Sequence, residues 1–136
     1  MQLIDPSREL ATPHPDPEWF SGPVHVQALG DERADPDLEI LAVFFDAGAR
    51  TKPHTHTTDQ LLYFLEDHGV VATRTGGRRF GRGGMALVPA HEWHWHGAAP
   101  EGATSHLSIR PVGPSSWPPE VPLEDWDRYM DRIDPG

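Results

Sequence analysis

Turn-forming residues cut this chain into short pieces. Asp67-His68-Gly69, Gly76-Gly77, Gly83-Gly84 and the run from Gly97 to Gly102 follow one another closely. Between them lie QLLYFLE, GVVATRT, RRFGR, MALVPA, EWHWHGA and TSHLSIRPV, segments of strand length carrying many β-branched and aromatic residues. Upstream, LEILAVFFDAG is the strongest strand candidate and closes at Gly48. From Gly22 to Leu29 the sequence alternates, with Val24, Val26 and Ala28 on one face and His25, Gln27 and Leu29 on the other. Short strands at this spacing predict an all-β fold, an antiparallel sandwich or barrel. The 13 glycines and 15 prolines among 136 residues favour the same class over long helices.

The length suits a single domain over residues 1–136. Residues 1–18, broken by Pro6, Pro13, Pro15 and Pro17, can form an extended arm or an edge strand. The strands over 24–112 make the barrel, with GDERADPD as a loop. Beyond the proline-rich PVGPSSWPPEVP, the segment LEDWDRYMDRI has acids in its first turn. Its Leu123, Trp126, Met130 and Ile133 fall near helical spacing, which predicts one short amphipathic helix over 123–133, lying on the barrel.

With 21 acidic against 11 basic residues the formal charge is −10, which argues against nucleic-acid and anionic-membrane partners. The basic knot of Arg74, Arg78, Arg79 and Arg82 reads as a solvated hairpin rim. Absence of cysteine excludes disulfide and thiolate chemistry. No apolar run reaches bilayer-spanning length and no signal-peptide pattern opens the chain, so the expected location is cytoplasmic.

Five of nine histidines fall in three places: His54-x-His56, His94-x-His96 and His106. Strand residues two apart project from one face, so His54 and His56 can reach one metal ion. Gln60 can join them if its strand returns in register, and an antiparallel return brings His94 beside the pair. Two such pairs in Gly/Pro-bounded strands favour a metal site over unligated histidines. Imidazole suits Zn, Mn, Fe, Co, Ni and Cu, so these residues alone do not name the ion.

These segments resemble the two motifs of the cupin superfamily. Gly48, His54, His56 and Gln60 match the first, with Gln60 in the glutamate position, and Gly83, Pro89 and His94 match the second. The resemblance implies a small cupin-type double-stranded β-barrel (a jelly roll) with a metal at its mouth. EWFSGPVHV, AGARTKPHTH, QLLYFLE, HWHGAAP and SHLSI further resemble a group of small bacterial single-domain cupins that includes manganese-dependent hydroxynitrile lyases. That likeness implies metal ligands His54, His56, Gln60 and His94, with manganese the expected ion and Zn, Fe, Ni or Co alternatives. It also implies that His106 lies near the substrate and that His96 and Thr51 line the pocket. Small cupins often dimerise through an N-terminal edge strand, and the arm with Trp19 and Phe20 is the candidate here for a homodimer. Asp67 stands where a turn glycine is usual, His91 replaces the glycine of P-x-G, and Arg110 replaces a glutamine of the lyases.

Gln60 supplies a neutral carbonyl oxygen where glutamate would bring a charge. The metal then keeps its full divalent charge, is a stronger Lewis acid and favours bound anions. The expected enzyme binds a small organic molecule at the metal and moves protons with His106 and His96, while Arg110 anchors an anionic group. Val43, Phe45, Leu62, Phe64 and Ser108 are expected to wall the pocket with Thr51, and Trp93 and Trp95 to face away from it as packing or dimer surface. A cyanohydrin-type C–C lyase and a cyclase or isomerase of an enolisable carbonyl compound both fit this chemistry. An Fe- or Ni-dependent dioxygenase and a non-enzymatic ligand-binding cupin are the alternatives.

Overall fold

A computed structural model describes residues 1–29, 37–118 and 133–134. It is all-β and cupin-like. Helix among the described residues is limited to two single turns of 3-10 type, Arg8–Leu10 and Pro17–Trp19. The strands are, in order, β1 (Thr12–Pro13), β2 (Phe20–Ser21), β3 (Val24–Ala28), β4 (Leu38–Phe45), β5 (Arg50–Thr51), β6 (Thr55–His56) and β7 (Gln60–Phe64). Then follow β8 (Gly69–Thr73), β9 (Gly76–Phe80), β10 (Met85–Val88), β11 (His94–Ala98), β12 (Thr104–Pro111), β13 (Ser115–Ser116) and β14 (Ile133–Asp134). No helix among the described residues is long and apolar enough to cross a membrane.

Two six-stranded sheets face each other. The first runs β1-β3-β4-β12-β7-β10 and the second β14-β9-β8-β11-β5-β2. All pairings are antiparallel except β14 with β9. The buried layer between the sheets follows the period of two. Phe45 and Val43 of β4 pack with Val24 and Ala98, and Leu62 and Phe64 of β7 pack with Val71 and Val88. Each large apolar side chain buried there is worth about 1.5–3 kcal/mol relative to exposure.

The sheets are not closed, which corrects the barrel expected over 24–112. At the mouth the ladders shrink to two-residue pieces. Pro53, Pro89 and Pro114 interrupt the segments there, and each lacks the N–H that would extend a ladder. The helix expected over 123–133 lies outside the described residues except at Ile133, which is strand, paired in parallel with Gly77. The loop at 30–36 also lies outside them.

The arm spans both sheets. β1 is the edge of the first, against β3, and β2 the edge of the second, against β5. Pro13 to Trp19 therefore straps the open side of the sandwich, and the Lys52 N–H donates to the Trp19 carbonyl at 2.8 Å. Trp93 and Trp95 face away from the metal side, as expected. They pack with Val70, Ala72 and Ala99 on the outer face of the second sheet, with Arg74 over the Trp93 ring.

Candidate metal centre

Backbone pairing brings the two histidine motifs together. His54 and His94 exchange both N–H···O=C bonds, at 2.9 and 3.1 Å, as an isolated antiparallel bridge. The His91 N–H donates to the His56 carbonyl at 2.7 Å, with His91 at φ 67°. His91, at the glycine position of P-x-G, thus carries a left-handed backbone that glycine adopts more readily. In the other turn the positive φ falls on His68 (71°), one residue after Asp67.

His54, His56 and His94 are buried, with ligand atoms all within 4.8 Å of one another. Each ring is held through Nδ1. His54 Nδ1 lies 2.8 Å from the Lys52 carbonyl, His94 Nδ1 2.8 Å from the Glu92 carbonyl, and His56 Nδ1 2.7 Å from Ser115 Oγ. On His54 and His94 the Nδ1 hydrogen is donated to a carbonyl, so Nε2 presents a lone pair to the centre, the arrangement in which imidazole binds metal, and the Ser115 hydroxyl lets His56 take the same tautomer. Trp117 stacks on His54 at 4.3 Å and holds its plane.

Gln60 completes the set. Its amide N–H donates to Ser108 Oγ at 2.8 Å, and its carbonyl oxygen points at His94 Nε2, 3.0 Å away. His94 Nδ1 already donates to the Glu92 carbonyl, so a neutral His94 offers Nε2 as an acceptor, to a metal or to the Gln60 amide turned over. Burial holds His94 below its usual range. Burial likewise pushes His54 well down and, with the nearby Arg110 charge, lowers His56 to about 4. His56 Nε2 is buried with no hydrogen-bond partner among the described residues. Three neutral imidazoles and one amide oxygen therefore fit a divalent transition metal.

Beside this cluster is a cavity of about 500 Å³, lined by His54, His56 and Gln60. Of the residues expected around it, Thr51, Val43, Ser108, His96 and Arg110 are on the wall. Phe45, Leu62 and Phe64 are fully buried core beneath the site and do not reach the cavity. His106 is also behind the wall. Its Nε2 is 2.9 Å from His96 Nδ1, and its ring lies against Phe45 and Phe64. Burial lowers His106 to about 3 and His96 well below its usual range, so both rings are neutral. His96 Nε2 has no hydrogen-bond partner among the described residues.

Arg110 is buried and meets Glu39 of the neighbouring strand, Nε to Oε1 at 3.3 Å. Its NH1 donates to the Gly113 carbonyl at 3.1 Å and reaches Thr58 Oγ1 at 3.5 Å. Other wall residues were not singled out in the sequence. Glu39 was readable, since it alternates with Leu41 and Val43 on one face of β4. His14, Asp16 and Trp117 were not, because segments without periodicity place them. Trp19 and Phe20 turn inward: Trp19 stacks on Trp117 at 4.8 Å and Phe20 packs toward Phe45.

No family model matches the chain. It is 40% identical over 96 residues to the (R)-mandelonitrile lyase of Granulicella tundricola, a match covering 68% of this chain and 72% of that protein. Among solved structures, a cupin-like protein of Thermotoga maritima superposes with a TM-score of 0.81 at 29% identity, covering 92% of this chain and 97% of that one. A polyketide cyclase of Streptomyces resistomycificus superposes with a TM-score of 0.74 at 17% identity, over 98% of this chain and 100% of the other, a likeness of fold. The chain belongs to the cupin superfamily, in the family of the Granulicella mandelonitrile lyase.

Proposed function

We propose that this protein is a metal-dependent cupin enzyme that performs Lewis-acid and proton-transfer chemistry on a small organic substrate. The observation that carries the reading is the convergence of His54, His56 and His94, three buried imidazoles with ligand atoms within 4.8 Å of one another and Gln60 beside them. His54, His56, His94 and Gln60 hold the ion. We take it to be manganese; the donor set also accommodates Zn, Fe, Ni or Co. When bound, it withdraws charge from a substrate oxygen or nitrile and stabilises the negative charge that develops there.

The chain's own residues do the rest. His96 lines the cavity, its buried Nε2 has no hydrogen-bond partner among the described residues, and in this reading that atom accepts or returns the substrate proton. His106 holds the other side of that ring at 2.9 Å and takes the complementary tautomer: when its Nε2 donates, His96 Nε2 carries the hydrogen, and when it accepts, His96 Nε2 is bare. Phe45 and Phe64 keep water from His106, so the pair works as one proton-handling unit. The strap, with Trp19 against Trp117, closes one side of the cavity.

Among reactions of this class we favour C–C cleavage of a cyanohydrin, because the relative at 40% identity is a mandelonitrile lyase. Manganese-loaded protein is expected to release benzaldehyde and cyanide from mandelonitrile. Chelation and His96→Ala are each expected to remove this activity, and His106→Ala to cut it at least about a hundredfold. Mandelonitrile left intact by loaded protein contradicts the lyase assignment and leaves the metal site standing.

A further inference from the structure

We propose that Arg110 is a carboxylate subsite of this cavity, so that an oxygen-bearing organic acid binds there at two points, on the metal and on the guanidinium, in competition with the neutral cyanohydrin favoured above. This rests on the metal-site reading above and adds a second, anionic ligand class.

The geometry starts in the register of β12. That strand pairs with β7 as His106 to Phe64, Leu107 to Tyr63, Ser108 to Leu62 and Ile109 to Leu61. One further step sets Arg110 opposite Gln60, with their Cβ atoms about 5 Å apart. On its other side Arg110 pairs with Glu39 of β4. Arg110, Ser108 and His106 share the inward face, and Ser108 is the residue that orients the Gln60 amide. The guanidinium charge is therefore next to a metal ligand.

The ribbon of β6 and β13 places the remaining wall. The Gly113 carbonyl accepts from Arg110, Ser115 bonds His56, and Trp117 stacks on His54. Along this edge the anion-binding end, the metal ligands and an aromatic surface follow in order, about 13 Å from Gly113 to Trp117 at the rise of an extended chain. An acid with a hydroxyl or oxo group one or two carbons from its carboxylate can place that oxygen on the metal and the carboxylate on Arg110. An aryl or other apolar body then lies toward Trp19, Trp117 and Phe20.

Charge points the same way. The ligand set is neutral, so the ion keeps two positive charges, and Arg110 and Glu39 cancel each other. The Arg110–Glu39 contact is long, and 34% of the Glu39 side chain is in solvent against 10% of Arg110. A ligand carboxylate can replace Glu39 on the guanidinium while Glu39 turns to water. The other wall acid, Asp16, belongs to the strap, outside this pair.

The test is binding of mandelate against its neutral isostere mandelamide to manganese-loaded protein at pH 7, read by tryptophan fluorescence and calorimetry. Mandelate is expected to bind at least about tenfold more tightly. Arg110→Gln is expected to cut that preference several-fold, the charge of the ion supplying the rest, and Glu39→Gln to raise mandelate affinity several-fold, a gain that a purely structural ion pair does not produce. Equal binding of acid and amide, a preference undiminished by Arg110→Gln, or no binding of mandelate overturns the proposal. Chelated protein gives the separate arm. Arg110-dependent mandelate binding unchanged by metal removal upholds the carboxylate subsite and contradicts the metal reading, whereas metal-dependent binding without acid preference does the reverse.

Discussion

Gln60 and Arg110 have to be read together, because the register of β12 against β7 makes them neighbours. A glutamate at 60 would find the Arg110 guanidinium about one strand spacing away and pair with it. The neutral amide leaves Arg110 to Glu39 and the metal with its full charge. Gln60→Glu is accordingly expected to retain or tighten the metal while weakening a simple anion such as azide by about tenfold, through the added negative charge at the ion. Titration of the cobalt-loaded variant measures this, and an unchanged azide affinity would show that ligand charge does not tune the site. The same register explains why the ligand set was legible in the sequence. His54, His56, Gln60 and His94 fall on strand faces with spacing two or four, and the period of two fixes which side they share. His96 and His106 were legible as residues of one face, but not their order. That His106 sits behind His96 depends on how far each strand runs into the sandwich, which no spacing records.

At the scale of elements, the long alternating strands were readable, from the Val24–Ala28 pattern to TSHLSIRPV, but Gly76 and Gly77, expected in a turn, open strand β9, and the turn falls on Arg74 and Thr75. Apart from the edge strand β1 in the arm, what the sequence did not show were the two-residue ladders, β2, β5, β6, β13 and β14. Segments this short have no periodicity, and long-range pairing alone defines them. Their contribution to the site is large. β2 places Trp19 and Phe20 over the cavity, so residues expected to form a dimer arm are engaged within their own chain. β13 sets Ser115 against His56 and leads into Trp117. A large aromatic within PSSWPP needed a surface to cover, and His54 supplies it. Outer groups that orient metal ligands typically contribute 10–100-fold to affinity. Trp117→Ala is therefore expected to weaken metal binding by about tenfold, measured by competition with a chromophoric chelator, with Trp117→Phe retaining most of it. Unaltered affinity in the alanine variant would mean that the stack does not position His54.

For the whole molecule, five neutral histidines gathered in one interior make stability depend on acidity. His56 is lowered to about 4 and His106 to about 3, with His54, His94 and His96 also lowered, in each case chiefly by burial. The unfolded chain protonates these groups near 6.5. Between that value and the folded values the unfolded state binds more protons, so stability rises with pH there and is lost as pH falls through the window. Metal-free protein is expected to lose thermal stability from about pH 6.5 down to about pH 4. A flat melting temperature over that range would contradict the buried neutral histidines. Bound metal adds stability at neutral pH, since it binds the folded site and needs the imidazoles deprotonated. Whether these side chains close on one cation is decided by an anomalous difference map from crystals of manganese-loaded protein. A single strong peak is expected at bonding distance from the Nε2 atoms of His54, His56 and His94 and from Gln60 Oε1. A featureless map at that point, or a peak ligated by other residues, would contradict it.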